Sequence, residues 1–416
     1  VLNPNSDSIL ETSVTWSEFE ALLRSALKTE AKFGHAREKI DIGDGKGLCS
    51  RCALITCGWI GGEKDEKLPK KVILKIPTML PFRRLNEALP KEERLYDSEE
   101  IWTQLERLFR DAHNIEIESY KFFRENGHLS IPKMYYGCRF DEESERNAQI
   151  CMEFVENAEM MDFSEVYSLK QLKQIARTLG KMQASSLNRE MSSLDFDKDI
   201  YGDFASLMPK EVYCSAFKPL LQYDSSPRMA KVVEDIEKIL PDYYRSNLPS
   251  TIHEQLHYRP VLVNGDVRTE NVLIDKDTGD LAALIDWQCA HRGVGVEDLL
   301  RIQCFGQSAR ERRETKEELL AQMFDSMVED LNGVAPPYTL PELHELYDLL
   351  MPHCGLFAVA GMPMLMKNVL LRPDLPDEVS AQIREIQIDK IVGILEDVVT
   401  YDAINKTSNR KIVFKS

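Results

Sequence analysis

Asn264-Gly265-Asp266-Val267-Arg268-Thr269-Glu270-Asn271-Val272-Leu273-Ile274, with Leu284-Ile285-Asp286-Trp287-Gln288 after it, is the stretch on which the reading of this chain turns. The apolar run Pro260-Val261-Leu262-Val263 leads into Gly265-Asp266. Asn271 opens a second apolar run, and a turn of Asp275-Lys276-Asp277-Thr278-Gly279-Asp280 returns the chain through Leu281-Ala282-Ala283-Leu284-Ile285 to Asp286. Short apolar runs separated by a polar, glycine-bearing turn predict a β-hairpin. The residue types carry chemistry. A carboxylate can accept the proton of an attacking hydroxyl, and an amide oxygen with a second carboxylate offers the hard oxygen donors that suit Mg²⁺. D-x-x-x-x-N followed by a strand-borne Asp is the spacing of a phosphoryl-transfer loop. An isolated D-x-x-x-x-N is more often a capped turn, but strands on both sides and Asp286 at the end of the next strand favour the catalytic reading. Asp266 is therefore assigned as catalytic base, with Asn271 and Asp286 as the metal ligands of Mg²⁺-ATP.

Working outward, the same chemistry requires further groups upstream, in a fixed order. Lys75 ends the β-rich run Val72-Ile73-Leu74-Lys75, where a lysine can hold the α- and β-phosphates. Its alternative is an ordinary edge-strand lysine. Glu116, within His113-Asn114-Ile115-Glu116-Ile117-Glu118, is the expected ion-pair partner. Glu118 points about 200° away around a helix, so only one of the two acids can face Lys75. Gly43-Asp44-Gly45-Lys46-Gly47-Leu48-Cys49-Ser50 is a candidate phosphate loop, with Gly45, Gly47 and Ser50 as contacts; by itself such a run is also a plain turn. Met152-Glu153-Phe154-Val155 is expected to offer backbone groups of Glu153 and Val155 to adenine, or is simply a buried strand end.

The rest of the chain supplies a frame for these residues. Thr15 and Glu18 form a capping-box pattern before Trp16, Phe19, Leu22, Leu23, Ala26 and Leu27 at helical spacing. Cys52–Cys57 and Val72–Ile76 read as a hairpin, Ser98–Glu125 as helix, and 134–138 and 149–155 as two further strands. Beyond Glu156 the pattern is mainly helical, over 169–187, 229–245, 310–331, 343–350 and 378–402. The expectation is an α+β, bilobal fold: residues 1–155 as a small β-sheet lobe, 156–416 as a larger helical lobe carrying the catalytic loop.

Composition narrows the classes. Lysines and arginines number 52 against 69 acidic residues, a net charge of −17, which disfavours nucleic acid or anionic membrane as partner. No run of about 18 apolar residues suggests a membrane span. The first residues carry no charged region followed by an apolar one, so no secretory leader is expected in the sequence as it stands. Nine scattered cysteines suggest reduced thiols and a cytoplasmic setting. Three other motifs compete. His253-Glu254-Gln255-Leu256-His257 matches a zinc hydrolase's H-E-x-x-H, but Pro249 and Pro260 confine it and no third ligand follows. Cys49-Ser50-Arg51-Cys52 is a lone C-x-x-C. The Gly43–Gly47 run opens into a strand rather than a helix, which disfavours a dinucleotide-binding Rossmann unit.

Taken together, these residues resemble the choline-kinase-like and aminoglycoside-phosphotransferase-like small-molecule kinases, which have the protein-kinase-like fold. The resemblance is nearest to the ecdysteroid-kinase-like branch and, within it, a nematode-type group. It runs from Thr15-Trp16 and Ala31-Lys32-Phe33-Gly34 through Gly45-Lys46-Gly47, His113-Asn114-x-Glu116 and Ile285-Asp286-Trp287-Gln288 to Gly293-x-x-x-Glu297-Asp298-Leu299. It implies that Asp266 is the base, that Asn271 and Asp286 bind metal, that Asp298 is structural, and that the acceptor is a choline-, sterol- or aminoglycoside-like alcohol. The family pattern His-Gly-Asp-Leu-Trp reads Asn264-Gly265-Asp266-Val267-Arg268 here. That departure admits a second expectation, a pseudokinase that binds nucleotide without turnover.

Overall fold

The computed structural model describes residues 7–43, 49–62, 67–88, 94, 96, 98–124, 129–140, 146–162, 164–370 and 376–408. These gather into two compact units. The first comprises the described residues up to 124 with 131–156; the second comprises 129–130 and those from 157 onward. Residues 129–130 join the second unit where the Ser130 carbonyl accepts from the Leu284 N–H at 2.8 Å.

The first unit begins with helix α1 (Trp16–Leu27), where the Thr15 hydroxyl accepts from the Glu18 N–H. The Glu18 carboxylate instead takes the backbone N–H and side-chain amide of Asn147, so only half of the capping box forms. Strands β1 (Lys32–Phe33), β2 (Glu38–Asp41), β3 (Ser50–Thr56), β4 (Trp59–Ile60) and β5 (Lys71–Pro77) follow, then α2 (Leu80–Glu87), α3 (Glu99–Phe123), β6 (Met134–Cys138) and β7 (Gln149–Glu153). The main sheet is antiparallel in the order β2-β3-β5-β7-β6, and β1 pairs with β4. Alternation decides what each face does. Ala53 and Ile55 of β3 and Val72, Leu74 and Ile76 of β5 are buried in one core with Trp16, Phe19 and Leu23 of α1. Lys75, out of phase with that set, is left to the opposite face.

The second unit contains β8 (Ala158–Met160), α4 (Leu169–Asn188), α5 (Ile200–Ser206), α6 (Lys210–Cys214), α7 (Pro227–Tyr243), α8 (Leu248–Gln255), β9 (Val261–Val263), β10 (Val272–Asp275), β11 (Leu281–Leu284), β12 (His291–Gly293), α9 (Val296–Gly306), α10 (Ala309–Glu329), α11 (Leu340–Leu370) and α12 (Asp377–Thr407). Its strands form two small antiparallel sheets, β11-β10-β8 and β12-β9. Helix α10 packs on α4, α9 on α11, and α12 on α11 and α7. Gly180 lets α4 and α10 approach closely, since a Cβ there would lie 2.2 Å from the Met323 carbonyl oxygen. The fold is α+β, a small sheet unit with one long helix between strands β5 and β6 and then a larger helical unit, the element order of the protein-kinase-like fold.

One helix is far longer than its pattern predicts. Instead of 343–350, α11 spans Leu340–Leu370 and passes through Pro352. A proline inside a helix removes a hydrogen bond and costs roughly 3 kcal/mol. Met351, Cys354, Ala358 and Val359 are buried around it, and that burial offsets the loss.

Candidate active site

Antiparallel pairing of β9 with β12 sets Val263 opposite His291 and delivers the next residues into a buried loop. Gly265 adopts φ +79°, and a Cβ on it would meet the Cys289 carbonyl oxygen at 2.5 Å, so the turn requires glycine. Asp298, in the first turn of α9, accepts the Asn264 N–H on Oδ2 and the Gly265 N–H on Oδ1, both at 2.9 Å. Burial and the neighbouring Glu297 push its carboxyl up to about 7, against those two N–H groups, which pull it down.

The Asn264 side chain then ties two segments together. Its Oδ1 accepts the Asp266 N–H at 2.9 Å, and its Nδ2 donates to the Asp286 carbonyl oxygen at 3.3 Å. Asn271, at the end of a short 3₁₀ turn, donates from Nδ2 to the Asp266 carbonyl oxygen (2.9 Å) and to Asp266 Oδ2 (3.1 Å). Its own carbonyl accepts from Ile285 N at 3.0 Å. Asp266, Asn271 and Asp286 are thus brought together by backbone and side-chain bonds. Asp286 holds φ +60°, a left-handed conformation uncommon outside glycine. Asp266 is 3 % exposed; burial raises its carboxyl above the ordinary range, Arg268 pulls it down, and Asp286 adds to the rise.

Behind the loop lies a charged cluster that no motif announces. His291 shares Nε2 with Glu297 Oε2 at 3.2 Å, and Arg301 donates to Glu297 Oε1 from Nε (2.9 Å) and Nη2 (2.6 Å). Burial alone would lower the His291 imidazole, but Glu297 lifts it to about 9. Burial likewise opposes the Glu297 carboxylate, yet Arg301 and His291 bring it to about 2. Tyr201 of α5 hydrogen-bonds Asp266, and Arg301 lies over the Tyr201 ring. Buried charge clusters and a helix-borne tyrosine have no local signature; only the run Glu297-Asp298-Leu299 hinted at this region.

In the first unit Lys75 Nζ lies 2.6 Å from Glu116 Oε2, both side chains being nearly buried. Glu118 faces elsewhere and pairs with Arg139 at 2.7 Å and Lys121 at 3.0 Å. Ser50 is buried as the first residue of β3, paired with Pro77. Gly45 and Gly47 lie outside the described residues. The Glu153 N–H donates to the Lys133 carbonyl oxygen at 2.8 Å, so this N–H is already committed and is not one that adenine can take. Val155 follows the end of β7 and is half-buried.

Asn271 and Asp286 fit a small hard cation. With Asn271 Nδ2 spent on Asp266, its amide oxygen is the donor left for a metal, and Asp286 adds a carboxylate. Among the described residues no group of three or more His, Cys, Asp or Glu could hold a metal ion alone, so a cation here needs oxygens from its ligand as well. The H-E-x-x-H reading fails on geometry. Helix α8 ends at Gln255, His257 adopts φ +58°, and the two histidines therefore do not share a helical face. Cys49 and Cys52 lie along an extended ladder, with the Cys49 carbonyl accepting from Thr78 and Cys52 opposite Lys75, a spacing too long for a disulfide between them. No helix among the described residues is long and apolar enough to cross a membrane.

Among proteins of known sequence, the chain is 22 % identical over 341 residues to the Caenorhabditis elegans "Uncharacterized kinase-like protein D1044.1", covering 80 % of this chain and 85 % of the other. Among solved structures it is similar to spectinomycin phosphotransferase APH(9)-Ia in complex with ADP and spectinomycin, at 13 % identity and a TM-score of 0.45, with 93 % of this chain and 100 % of that one covered. It is also similar to choline kinase LicA from Streptococcus pneumoniae, at 12 % identity and a TM-score of 0.36, covering 92 % and 99 %. The family described as "Uncharacterized oxidoreductase dhs-27", DUF1679, matches residues 2–406, and the chain belongs to it.

Proposed function

We propose that this protein is an ATP-dependent phosphotransferase that acts on a hydroxyl of a small molecule. The observation that carries the reading is the buried loop in which Asn271 holds both the backbone and the carboxylate of Asp266 while Asn264 links that loop to Asp286. Asp266 orients the acceptor hydroxyl and takes its proton. The acceptor oxygen forms a bond to the γ-phosphorus, the bond from that phosphorus to the β-phosphate oxygen breaks, and ADP leaves. Lys75, fixed by Glu116, holds phosphate oxygens, Ser50 and the glycine run contribute contacts to them, and Glu153 through its carbonyl and Val155 through its N–H are the adenine contacts. Mg²⁺ held by Asn271 and Asp286 would neutralise charge on the phosphates. The left-handed Asp286 supports the reading, because strained backbone concentrates where a side chain must be aimed. The kinase-like name of the nematode relative agrees with it.

The family's description names an oxidoreductase, and hydride transfer would require a nicotinamide or flavin seat. Such seats are usually built at the carboxyl ends of parallel βαβ strands. Every strand pair among the described residues is antiparallel, which counts against that reading. The deciding experiment is a Mg²⁺-ATP phosphorylation screen against a pooled metabolite extract, read by mass shift, with Asp266→Asn alongside. The wild type should transfer phosphate to at least one alcohol. Asp266→Asn should lose about 10²–10⁴-fold in rate while binding ADP as before. Nucleotide binding with no transfer to any alcohol would instead establish a pseudokinase, and undiminished turnover by Asp266→Asn would remove Asp266 as base.

A further inference from the structure

Arg301 and Arg312 are buried in the second unit, and Arg268 is half-buried beside the loop. Arg301 spends its fork on Glu297 at 2.9 and 2.6 Å, and Arg312 donates from Nε to Asp397 at 3.0 Å and from Nη2 to the Gly393 carbonyl oxygen at 3.2 Å. These are structural pairings. Arg268 is different. Its Nε lies 3.4 Å from Asp266 Oδ1 and its Nη1 3.9 Å from Glu270 Oε2, long charge contacts without hydrogen-bond alignment. Nε is buried with no hydrogen-bond partner among the described residues, although the side chain as a whole is 30 % exposed. A planar fork of donors that is charged, fixed beside a carboxylate and unspent is suited to oxyanion recognition.

A second observation points the same way. Tyr201, whose hydroxyl reaches Asp266, and Phe357 have ring centroids 4.2 Å apart, and the protein's own Arg301 lies over both, at 4.9 and 4.3 Å. The aromatic faces beside the base therefore already hold a cation, and an ammonium-bearing alcohol finds no cation–π seat on them. The charge of Arg301 is met by Glu297, which leaves Arg268 as the guanidinium beside the base whose Nε has no hydrogen-bond partner among the described residues.

We propose that Arg268 is the oxyanion contact of this site, taking a phosphate or carboxylate oxygen of the ligand that Asp266 serves. The proposal rests on the phosphotransferase reading. The oxyanion has two sources, the γ-phosphoryl in transfer or an acidic group on the acceptor, and the test separates them. Calorimetric titration with Mg²⁺ present measures ADP and the β,γ-imido analogue of ATP against wild type, Arg268→Met and Arg268→Lys, with a melting temperature for each. If Arg268 holds the γ-phosphoryl, Arg268→Met binds the analogue on the order of 10–100-fold more weakly with ADP unchanged, and Arg268→Lys recovers part of the loss. If it holds an acidic acceptor, both nucleotides bind as before, while ATP-dependent phosphorylation of a hydroxy-acid pool is lost and that of neutral alcohols persists. The proposal is overturned if Arg268→Met changes neither, or if ADP, analogue and melting temperature fall together, which is the behaviour of a structural arginine. A wild-type chain that binds neither nucleotide sinks the phosphotransferase reading itself and this proposal with it.

Discussion

Replacing Gly265 by alanine places a methyl group against the Cys289 carbonyl in a backbone conformation that L residues rarely adopt. Strain of that kind costs roughly 1–3 kcal/mol before any clash is counted. Urea unfolding of Gly265→Ala should show a loss of at least that size. A second residue-level prediction separates Glu116 from Glu118. Glu116→Gln removes the charge that fixes Lys75 and should weaken Mg²⁺-ATP binding about 10-fold by calorimetry. Glu118→Gln loses only half-exposed pairs and should leave affinity within about a factor of two. Equal effects of the two would mean that Lys75 does not hold phosphate. At this scale the sequence was legible where spacing brings side chains together, as for Asp266 with Asn271 and Lys75 with Glu116. It was silent on Tyr201 and Arg301, whose relation to Asp266 arises from tertiary packing of α5 and α9 and leaves no local pattern.

Among the elements, the pair formed by strand β12 and helix α9 carries a pH dependence. His291 is raised above its ordinary value to about 9, so the stability it contributes is complete below about 6.5 and is lost as pH rises through about 9. Glu297, lowered to about 2, contributes above about 4.5 and loses its share only in strong acid. The melting temperature of the wild type should therefore fall between pH 6.5 and 9.5 more steeply than that of His291→Gln. Parallel curves would show that the imidazole is not held protonated. Several elements were legible because they are amphipathic and long: α1, α3, α4 and α10 stand close to where their apolar periodicity predicts. Helix α9 was less so, since all eleven of its residues are buried and no polar face marks its period. Strands β8 and β12 have only three residues each, too few for alternation to register, and Pro352 made α11 read as a much shorter helix.

Taken as a whole, the helical unit depends on α12. Ile391, Ile394, Leu395 and Val398 are fully buried, Asp397 pairs with buried Arg312, Asp402 accepts from Tyr243 at 2.8 Å, and Lys390 donates to the Glu165 and Phe305 carbonyls. Asp397→Ala leaves the Arg312 guanidinium buried without its counter-charge and should cost about 3–5 kcal/mol in chemical denaturation. Replacing both by Met and Leu should recover most of that, which distinguishes a stranded charge from lost packing. A change under about 1 kcal/mol for Asp397→Ala would show that water reaches Arg312.

Helix α12 is also the last described element to leave the ribosome. Until it emerges, a nascent chain already holding α7, α10 and α11 presents their apolar faces and the lone Arg312 charge to solvent or to a chaperone. The Asn264–Asn271 loop, complete in sequence more than a hundred residues earlier on the chain, must wait for that final helix before the unit that supports it can close. Premature termination upstream of Asp377 would therefore yield an aggregation-prone chain rather than a weakened but folded one, and the interval between synthesis of Asp266 and of Asp397 sets how long each molecule is exposed to that fate.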